Sequence, residues 1–517
     1  MSTHQGTGGF MRRSLRWPKL RIQGRLPRVI LRVALLLAVL GLGLTLYFYV
    51  FPRPGRNVPL GLVEVPSGRK ILVLAPHSDD ETLGPGGFIA EAERRGNKVR
   101  VVLATNGDGF RYAVEDQYRR FRLTPAQYVQ FGYVRQKESL AALALLGVPA
   151  DQVIFLGYPD RGLVRLWLDN WSDAKPYTSP YTKVAHSPYR NSFTPAAAYS
   201  GESLLADLEK VLADFRPDVI VMPHPNDAHP DHWALNAFTT YALADLRQKG
   251  RPFAQNPTVY LYLVHRGDWP APKGMHLDGL LTPPTTFADT TTAWSSLPLP
   301  ADVTQLKYQA ILKYKSQLTL LRRFLTSFAR ANEIFGQLGE LPARSVADGQ
   351  IKMTGSLLEW SGIDPEVLDP IRDTVARRLE GSGDLHALYA ATDSTHLFLL
   401  LQTRRPVSAE LTYTVRVIPF DHTAGPYRHQ IIVRVRPPSR VSLVNPLEQE
   451  VSGGSQVFVK SNRNTIGISL PLWAIGSPAR VYLSAETSLA NLTIDRLAWQ
   501  MIGLNEARAL PTWPGTE

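Results

Sequence analysis

From residue 70 onward, short apolar runs rich in branched residues alternate with patterns of helical period. Lys70 to Ala75 (KILVLA) has no polar face and reads as a strand buried on both sides. Gly87 to Arg95 reads as a helix ended by Gly96, Val99 to Ala104 as a second buried strand, and Arg135 to Leu146 as an amphipathic helix closed by Gly147. Val153 to Leu156 is a third strand, Ser203 to Phe215 another helix, and Asp218 to Met222 a further strand. Strands alternating with helices predict an α/β domain of Rossmann-like, three-layer type with a mainly parallel sheet. Residues 159 to 200 and 266 to 300, rich in Pro, Thr, Tyr and Trp, read as long loop excursions, and Val303 to Leu338 as one helix.

Beyond about residue 345 the period changes. Leu397 to Gln402, Leu411 to Pro419, Gln430 to Val435, Gln456 to Lys460, Thr465 to Leu470 and Val481 to Ala485 are short β-prone segments separated by turn residues. That pattern predicts an all-β sandwich.

Charge changes the picture at the N-terminus. The chain of 517 residues carries +12, but residues 1 to 60 hold ten Lys and Arg and no Asp or Glu, which leaves +2 for the remaining 457. The bulk is nearly neutral, which argues against a nucleic-acid partner. Val33 to Phe51 is a run of 19 uncharged residues, long enough at about 1.5 Å per residue to cross a hydrocarbon core of roughly 30 Å. Eight basic residues from Arg12 to Arg32 precede it, so the positive-inside rule predicts a transmembrane helix whose N-terminal flank stays cytoplasmic. The expected organisation is a basic tail (1–32), an anchor (33–51), a linker (52–68), an α/β domain (69–340) and a β-sandwich (345–510), with the last two outside the cytoplasm. There is no cysteine, so disulfides, thiolate metal sites and a cysteine nucleophile are excluded.

Two clusters carry chemistry. Ala75-Pro-His-Ser-Asp-Asp-Glu81 directly follows the first strand, and His224-Pro-Asn-Asp-Ala-His-Pro-Asp-His232 directly follows the Asp218 to Met222 strand. Ligands of open parallel sheets bind beyond the carboxyl ends of the strands, so the fold would bring the clusters together. Their imidazoles and carboxylates have the composition of a metal site for Zn²⁺, with Fe²⁺ also suited. Gly84-Pro-Gly-Gly87 before a helix has the look of a dinucleotide loop, but Asp79, Asp80 and Glu81 put negative charge where a pyrophosphate would sit.

PHSDDE followed by HPDH resembles the PIG-L/LmbE-like N-deacetylase family, whose pattern is AHPDDE then HPDH; here Pro76 precedes the His and Ser78 follows it. The resemblance runs from about Lys70 to Leu320 and extends to Arg135 to Gly147, Gly157-Tyr-Pro-Asp160 and Lys313 to Gln317. It implies that His77, Asp80 and His232 ligate the metal. Asp79 is left beside it as the general base towards water, His229 stabilises the oxyanion and helps protonate the leaving amine, and Asp231 orients a histidine ring, that of His229 in the family. Glu81, His224 and Asp227 are expected in supporting positions. Arg111, Asp160, Arg161 and His265 are candidate substrate contacts, and Asp108 is either a contact or a turn residue. Asp348-Gly, Glu359-Trp-Ser-Gly362 and Ala391 to Leu399 resemble family-9-like carbohydrate-binding or DOMON sandwiches, where Trp360 either stacks on sugar or packs the core.

The implied reaction is hydrolysis of an N-acetyl or other N-acyl amide on an amino sugar of a glycan or glycolipid. Two alternatives stand beside it: an amidase acting on a thiol conjugate or other non-sugar amide, and a catalytically silent glycan-binding envelope protein.

Overall fold

The computed structural model describes residues 33, 35–37, 39–41, 58–267, 269–371, 381–420, 430–437, 440–445 and 458–504. The chain divides into two compact units, Met1–Arg56 and Asn57–Glu517. In the first, Val33, Leu35 to Leu37 and Val39 to Gly41 are helical and exposed. The rest of the expected anchor, and the basic tail before it, lie outside the described residues. Among the described residues no helix is long and apolar enough to cross a membrane.

The second unit begins with strands β1 (Leu60–Leu62), β2 (Lys70–Ala75), β3 (Lys98–Thr105), β4 (Val153–Tyr158), β5 (Val219–Pro223), β6 (Thr258–Tyr262), β7 (Ala293–Pro298) and β8 (Asn332–Gln337). They form one sheet in the order β1-β7-β8-β6-β5-β2-β3-β4. The run β6-β5-β2-β3-β4 is wholly parallel, and only β8 opposes its neighbours β6 and β7. The sheet is therefore mixed, with the mainly parallel character that the alternating texture implies.

Why both faces of this sheet are apolar is visible residue by residue. Leu72, Leu74, Val102, Ala104, Ile220 and Met222 pack on one side, and Ile71, Val73, Val101, Leu103, Val219 and Val221 on the other. Helices α1 (Asp80–Leu83), α2 (Gly86–Arg94), α3 (Arg111–Tyr118), α4 (Pro125–Leu145), α5 (Leu163–Leu168), α6 (Gly201–Phe215), α7 (Pro230–Gln248), α8 (Ala301–Ile311) and α9 (Lys315–Leu325) complete the α/β part. The apolar residues of α5, α6 and α7 share the first core, and those of α2, α4, α8 and α9 the second, which gives three layers.

The long helix expected over Val303 to Leu338 is replaced by α8, α9 and the strand β8. Tyr314 breaks it: its side chain is buried, and its hydroxyl donates to Glu81 Oε1 at 2.7 Å. Strand β8 then fills the gap between β6 and β7, and burial of Asn332 to Gly336 on both sides outweighs helical period. The excursion at 266–300 likewise contains β7, and that at 159–200 contains α5.

Strand β8 also clamps the first motif. Glu333 accepts the N–H groups of Gly87 and Phe88 at 2.5 and 2.7 Å, which fills the α2 N-terminus with a carboxylate. Lys307 Nζ donates to the same carboxylate at 2.6 Å and to Leu83 O at 2.8 Å. A Cβ at Gly84 would come within 2.4 Å of the Tyr262 ring, so the glycine run is a packing requirement. The phosphate position of a dinucleotide loop is thus taken by the protein itself.

Among the described residues the remaining strands form two further sheets, one of six strands and one of seven, which enclose their own core. Trp360 is buried against Met353, Phe398 and Leu400, which is the core-packing alternative for this residue. The outer face of the seven-stranded sheet docks onto the α/β layers. Trp499 and Tyr482 meet Trp167 of α5 at ring distances of 5.4 and 6.0 Å, and Phe420 meets Tyr241 of α7 at 4.9 Å. Replacing Trp167 with Ala is expected to destabilise residues 57–517 by about 3–5 kcal/mol. Denaturant unfolding checks this, and a loss under about 1 kcal/mol would show that the aromatic seam contributes little.

Candidate metal centre

The strand order reverses between β2 and β5, since β2 leads outward to β3 and β4 while β5 leads to β6. At such a switch point the loops leaving two neighbouring strands part and open a crevice. The first cluster leaves β2 and the second leaves β5, so both enter that crevice. The β4 end adds Asp160 and the β6 end adds His265.

The geometry is compact. Asp80 Oδ2 lies 3.0 Å from His77 Nδ1 and 3.0 Å from His232 Nε2. The rings of His77 and His232 are 5.4 Å apart. Donors that share one ion at about 2.0–2.2 Å stand roughly 3.3 Å apart in a tetrahedral set, so Asp80 is at ligating separation from each of the two histidines. His77 Nε2 faces Asp231 Oδ2 at 3.2 Å and Asp160 Oδ1 at 3.3 Å. Two carboxylates there hold the ring proton on Nε2 and leave the Nδ1 lone pair for a cation.

His232 is fully buried, and neither ring nitrogen makes a hydrogen bond, although Asp80 Oδ2 and Asp227 Oδ2 are 3.0 and 3.3 Å away. A buried nitrogen beside a carboxylate, at the right distance and the wrong angle for a hydrogen bond, fits a cation between them. Burial lowers the His232 pKa, but the charges of Asp227 and Asp80 outweigh it and lift it to about 9. The same negative field would draw a divalent ion.

Asp79 is buried beside this set and outside the three ligating positions. Its φ of 122° is a conformation that a side chain with Cβ rarely adopts. Three contacts hold it there. Glu81 Oε2 accepts the Asp79 N–H at 2.9 Å, Arg135 Nη2 meets Asp79 Oδ2 at 3.0 Å, and the same guanidinium donates to the Ser78 carbonyl. Burial pushes the Asp79 carboxyl up to about 8 against the opposing charge of Arg135. In the sequence Arg135 is marked by the helix pattern and as the first residue of the Arg135 to Gly147 stretch of the family resemblance, neither of which shows its pairing with Asp79.

His229 is half-buried at the start of α7, and its Nδ1 accepts the Asp231 N–H at 3.3 Å. The ring proton therefore sits on Nε2 in the neutral form. Burial holds its pKa well below the ordinary value, and His77 and His232 add to that. Asp231 lies differently from the expected pairing with His229. Its carboxylate reaches back to the loop after β4, where it accepts the N–H groups of Arg161 and Leu163 at 2.6 and 3.0 Å, and its ring partner is His77. The first turn of α7 aims this side chain at β4, and only its backbone N–H meets His229.

Asp227 is a second hub. It accepts the N–H groups of His229, Val264 and His265, each at 2.9 Å, and faces the His232 ring. His224 stacks on Trp294 at 5.3 Å, and burial drives its pKa down to about 3, so it supports the fold and has no part in the cluster. Asp160 is buried at the site, and its Oδ2 accepts the Gly109 N–H at 2.7 Å. Asp108 is buried too and accepts the Tyr189 hydroxyl at 2.5 Å, which ties the excursion after β4 to the β3 loop. Arg111 is exposed and paired with Glu115 at 2.7 Å, while Arg161 contributes its backbone N–H.

Residues 72–243 match the profile of the PIG-L family, described as GlcNAc-PI de-N-acetylase. This chain carries a PIG-L family domain. Over 191 residues it is 36% identical to the 1D-myo-inositol 2-acetamido-2-deoxy-alpha-D-glucopyranoside deacetylase of Mycobacterium sp. (strain KMS), covering 37% of this chain and 54% of that protein. It thus spans about half the length of this curated relative. A protein of the same name from Kribbella flavida is 29% identical over 304 residues, covering 53% of this chain and 91% of its own length. Among solved structures, N,N'-diacetylchitobiose deacetylase from Pyrococcus horikoshii superimposes with 20% identity and a TM-score of 0.32, over 52% of this chain and 82% of that one. The C-terminal sandwich lies beyond the PIG-L segment.

Replacing Asp227 with Asn removes the charge behind His232. Divalent-metal affinity is expected to fall by on the order of 10–100-fold. Competition titration with a chromophoric chelator checks this, and an unchanged dissociation constant would contradict the supporting role.

Proposed function

We propose that the chain is a divalent-metal-dependent N-deacetylase that hydrolyses the N-acetyl amide of an N-acetylglucosamine-type residue. The observation that carries the reading is the meeting of His77, Asp80 and His232 with Asp79 held beside them. The relatives' names support the substrate class, since each names a deacetylase of a 2-acetamido-2-deoxy-glucose conjugate. His77 Nδ1, His232 Nε2 and one Asp80 oxygen would hold the ion. Two nitrogens and one carboxylate suit Zn²⁺ and also Fe²⁺. Such an ion supplies Lewis-acid polarisation of the amide carbonyl and makes water more acidic.

The chain's own groups account for the proton and the charge. Asp79 takes a proton from the attacking water, helped by the arginine that fixes its carboxylate. The proton it then holds goes to the amine as the C–N bond breaks, which leaves acetate and a free amino sugar. His229 offers Nε2–H to the oxygen that gains negative charge, and its neutral form suffices for this. Asp231 and Asp160 fix His77, and Asp231 also draws in the loop at Arg161 to Leu163.

The basic, apolar N-terminal segment supports a membrane anchor with the catalytic unit on the outer side. A glycan or glycolipid of the cell envelope is the substrate this placement favours.

Residues 57–517, supplied with Zn²⁺ and a panel of N-acetylated sugars and oligosaccharides, are expected to release acetate. Activity confined to non-sugar amides would overturn the substrate class. Asp79→Ala is expected to lower turnover by roughly 10²–10⁴-fold while one ion remains bound. Near-full activity in that variant would remove the general-base assignment.

A further inference from the structure

A fourth imidazole faces the centre from an unexpected side. His265 stands alone in Leu263-Val-His-Arg-Gly267, just past the end of β6, with no metal-binding spacing around it. Its Nε2 lies 3.9 Å from Asp80 Oδ1, too far for a hydrogen bond, and its ring is 4.7 Å from that of His232 at 79°. One donor atom each from Asp80, His232 and His265 lies within 4.8 Å of the other two. Donors on one ion at about 2.0–2.2 Å stand roughly 3.3 to 3.6 Å apart when three or four share it, so closure by about an ångström brings all three into shared reach.

The surroundings aim this ring. Asp227 Oδ2 accepts the N–H groups of Val264 and His265, each at 2.9 Å, and the same oxygen faces His232 Nδ1. One buried carboxylate therefore sets the backbone of one imidazole and the ring of the other. Phe324 of α9 stacks on the outer face of His265 at 5.8 Å and 19°, which leaves the nitrogen edge turned inward. Asp80 is divided to match. Its Oδ2 is engaged by the His77 N–H and ring, and its Oδ1 edge faces His265. At 34% exposure the His265 side chain is also more open to solvent than those of Asp80, His77 and His232, at 1%, 9% and 0%.

We propose that His265 is a supplementary protein ligand of the divalent cation, closing on it from the mouth of the crevice when substrate is absent. The proposal rests on the metal reading above. A ligand at this position strengthens the resting hold on the ion and yields as the substrate carbonyl arrives, or lets the centre expand to five donors.

The test uses the full chain with Zn²⁺ alone, and separately with Co²⁺ for its visible spectrum. Wild type is expected to bind one ion, and His232→Ala to lose it. A wild-type chain without affinity for either ion would overturn the metal reading itself and this proposal with it. Given wild-type binding, His265→Ala is expected to raise the Zn²⁺ dissociation constant by on the order of 10–100-fold and to shift the visible bands of the Co²⁺ form. His265→Gln, which fills the space without an imidazole, should behave the same way. A dissociation constant within twofold of wild type together with an unchanged Co²⁺ spectrum would overturn the assignment. So would full recovery in the Gln variant, because the loss would then come from packing.

Discussion

A single carboxylate, that of Asp80, sits between two imidazoles supplied by loops some 150 residues apart, and every other feature of the site serves to keep it there. Buried in this company it requires positive charge, and the chain supplies no lysine to the ligating cluster. The nearest guanidinium, Arg135, is engaged with Asp79 and the backbone. Ring protonation of the histidines answers part of the demand and a divalent cation would answer it fully, which is why the composition of the two loops makes sense only together.

The scaffold converts that demand into geometry. Both loops leave the carboxyl ends of adjacent parallel strands at the point where the sheet order turns, so their meeting follows from topology. Rigidity comes from the next shell of contacts. Lys307 and Glu333 lock the short helix that begins at Asp80 against α2, while Glu81 and Tyr314 hold the residue before it in an unfavourable backbone conformation. Asp227, Asp231 and Asp160 then fix the rings. The strain at Asp79 persists because those contacts over-determine it, as expected where a carboxylate must stand beside a cation without binding it.

Much of this was legible in the sequence, for definite reasons. Buried parallel strands announce themselves as uninterrupted branched runs, so β2 and β5 and the loops after them could be placed, and with them His77, Asp80, His229 and His232. The sandwich strands were visible through their spacing. Features that depend on non-local packing were not. Strand β8 carries no strand period of its own and owes its form to a vacant slot between β6 and β7, so it read as the tail of a helix. The partner of Asp231 depends on where the loop after β4 passes, and the pairing of Lys307 with Glu333 on two elements meeting edge-on. The aromatic seam of Trp167, Tyr482 and Trp499 lies on surfaces whose burial appears only once the sandwich is docked. His265 could be named in the sequence as a candidate substrate contact, but no motif marked it as a possible ligand.

The central claim is that these imidazoles and the Asp80 carboxylate grip one ion directly. X-ray absorption fine structure of the Zn²⁺-loaded protein tests that without reference to any substrate. The account predicts a first shell of nitrogen and oxygen at about 2.0–2.1 Å, with the outer-shell scattering of at least two histidine rings. A shell of oxygen alone, without imidazole scattering, would contradict it.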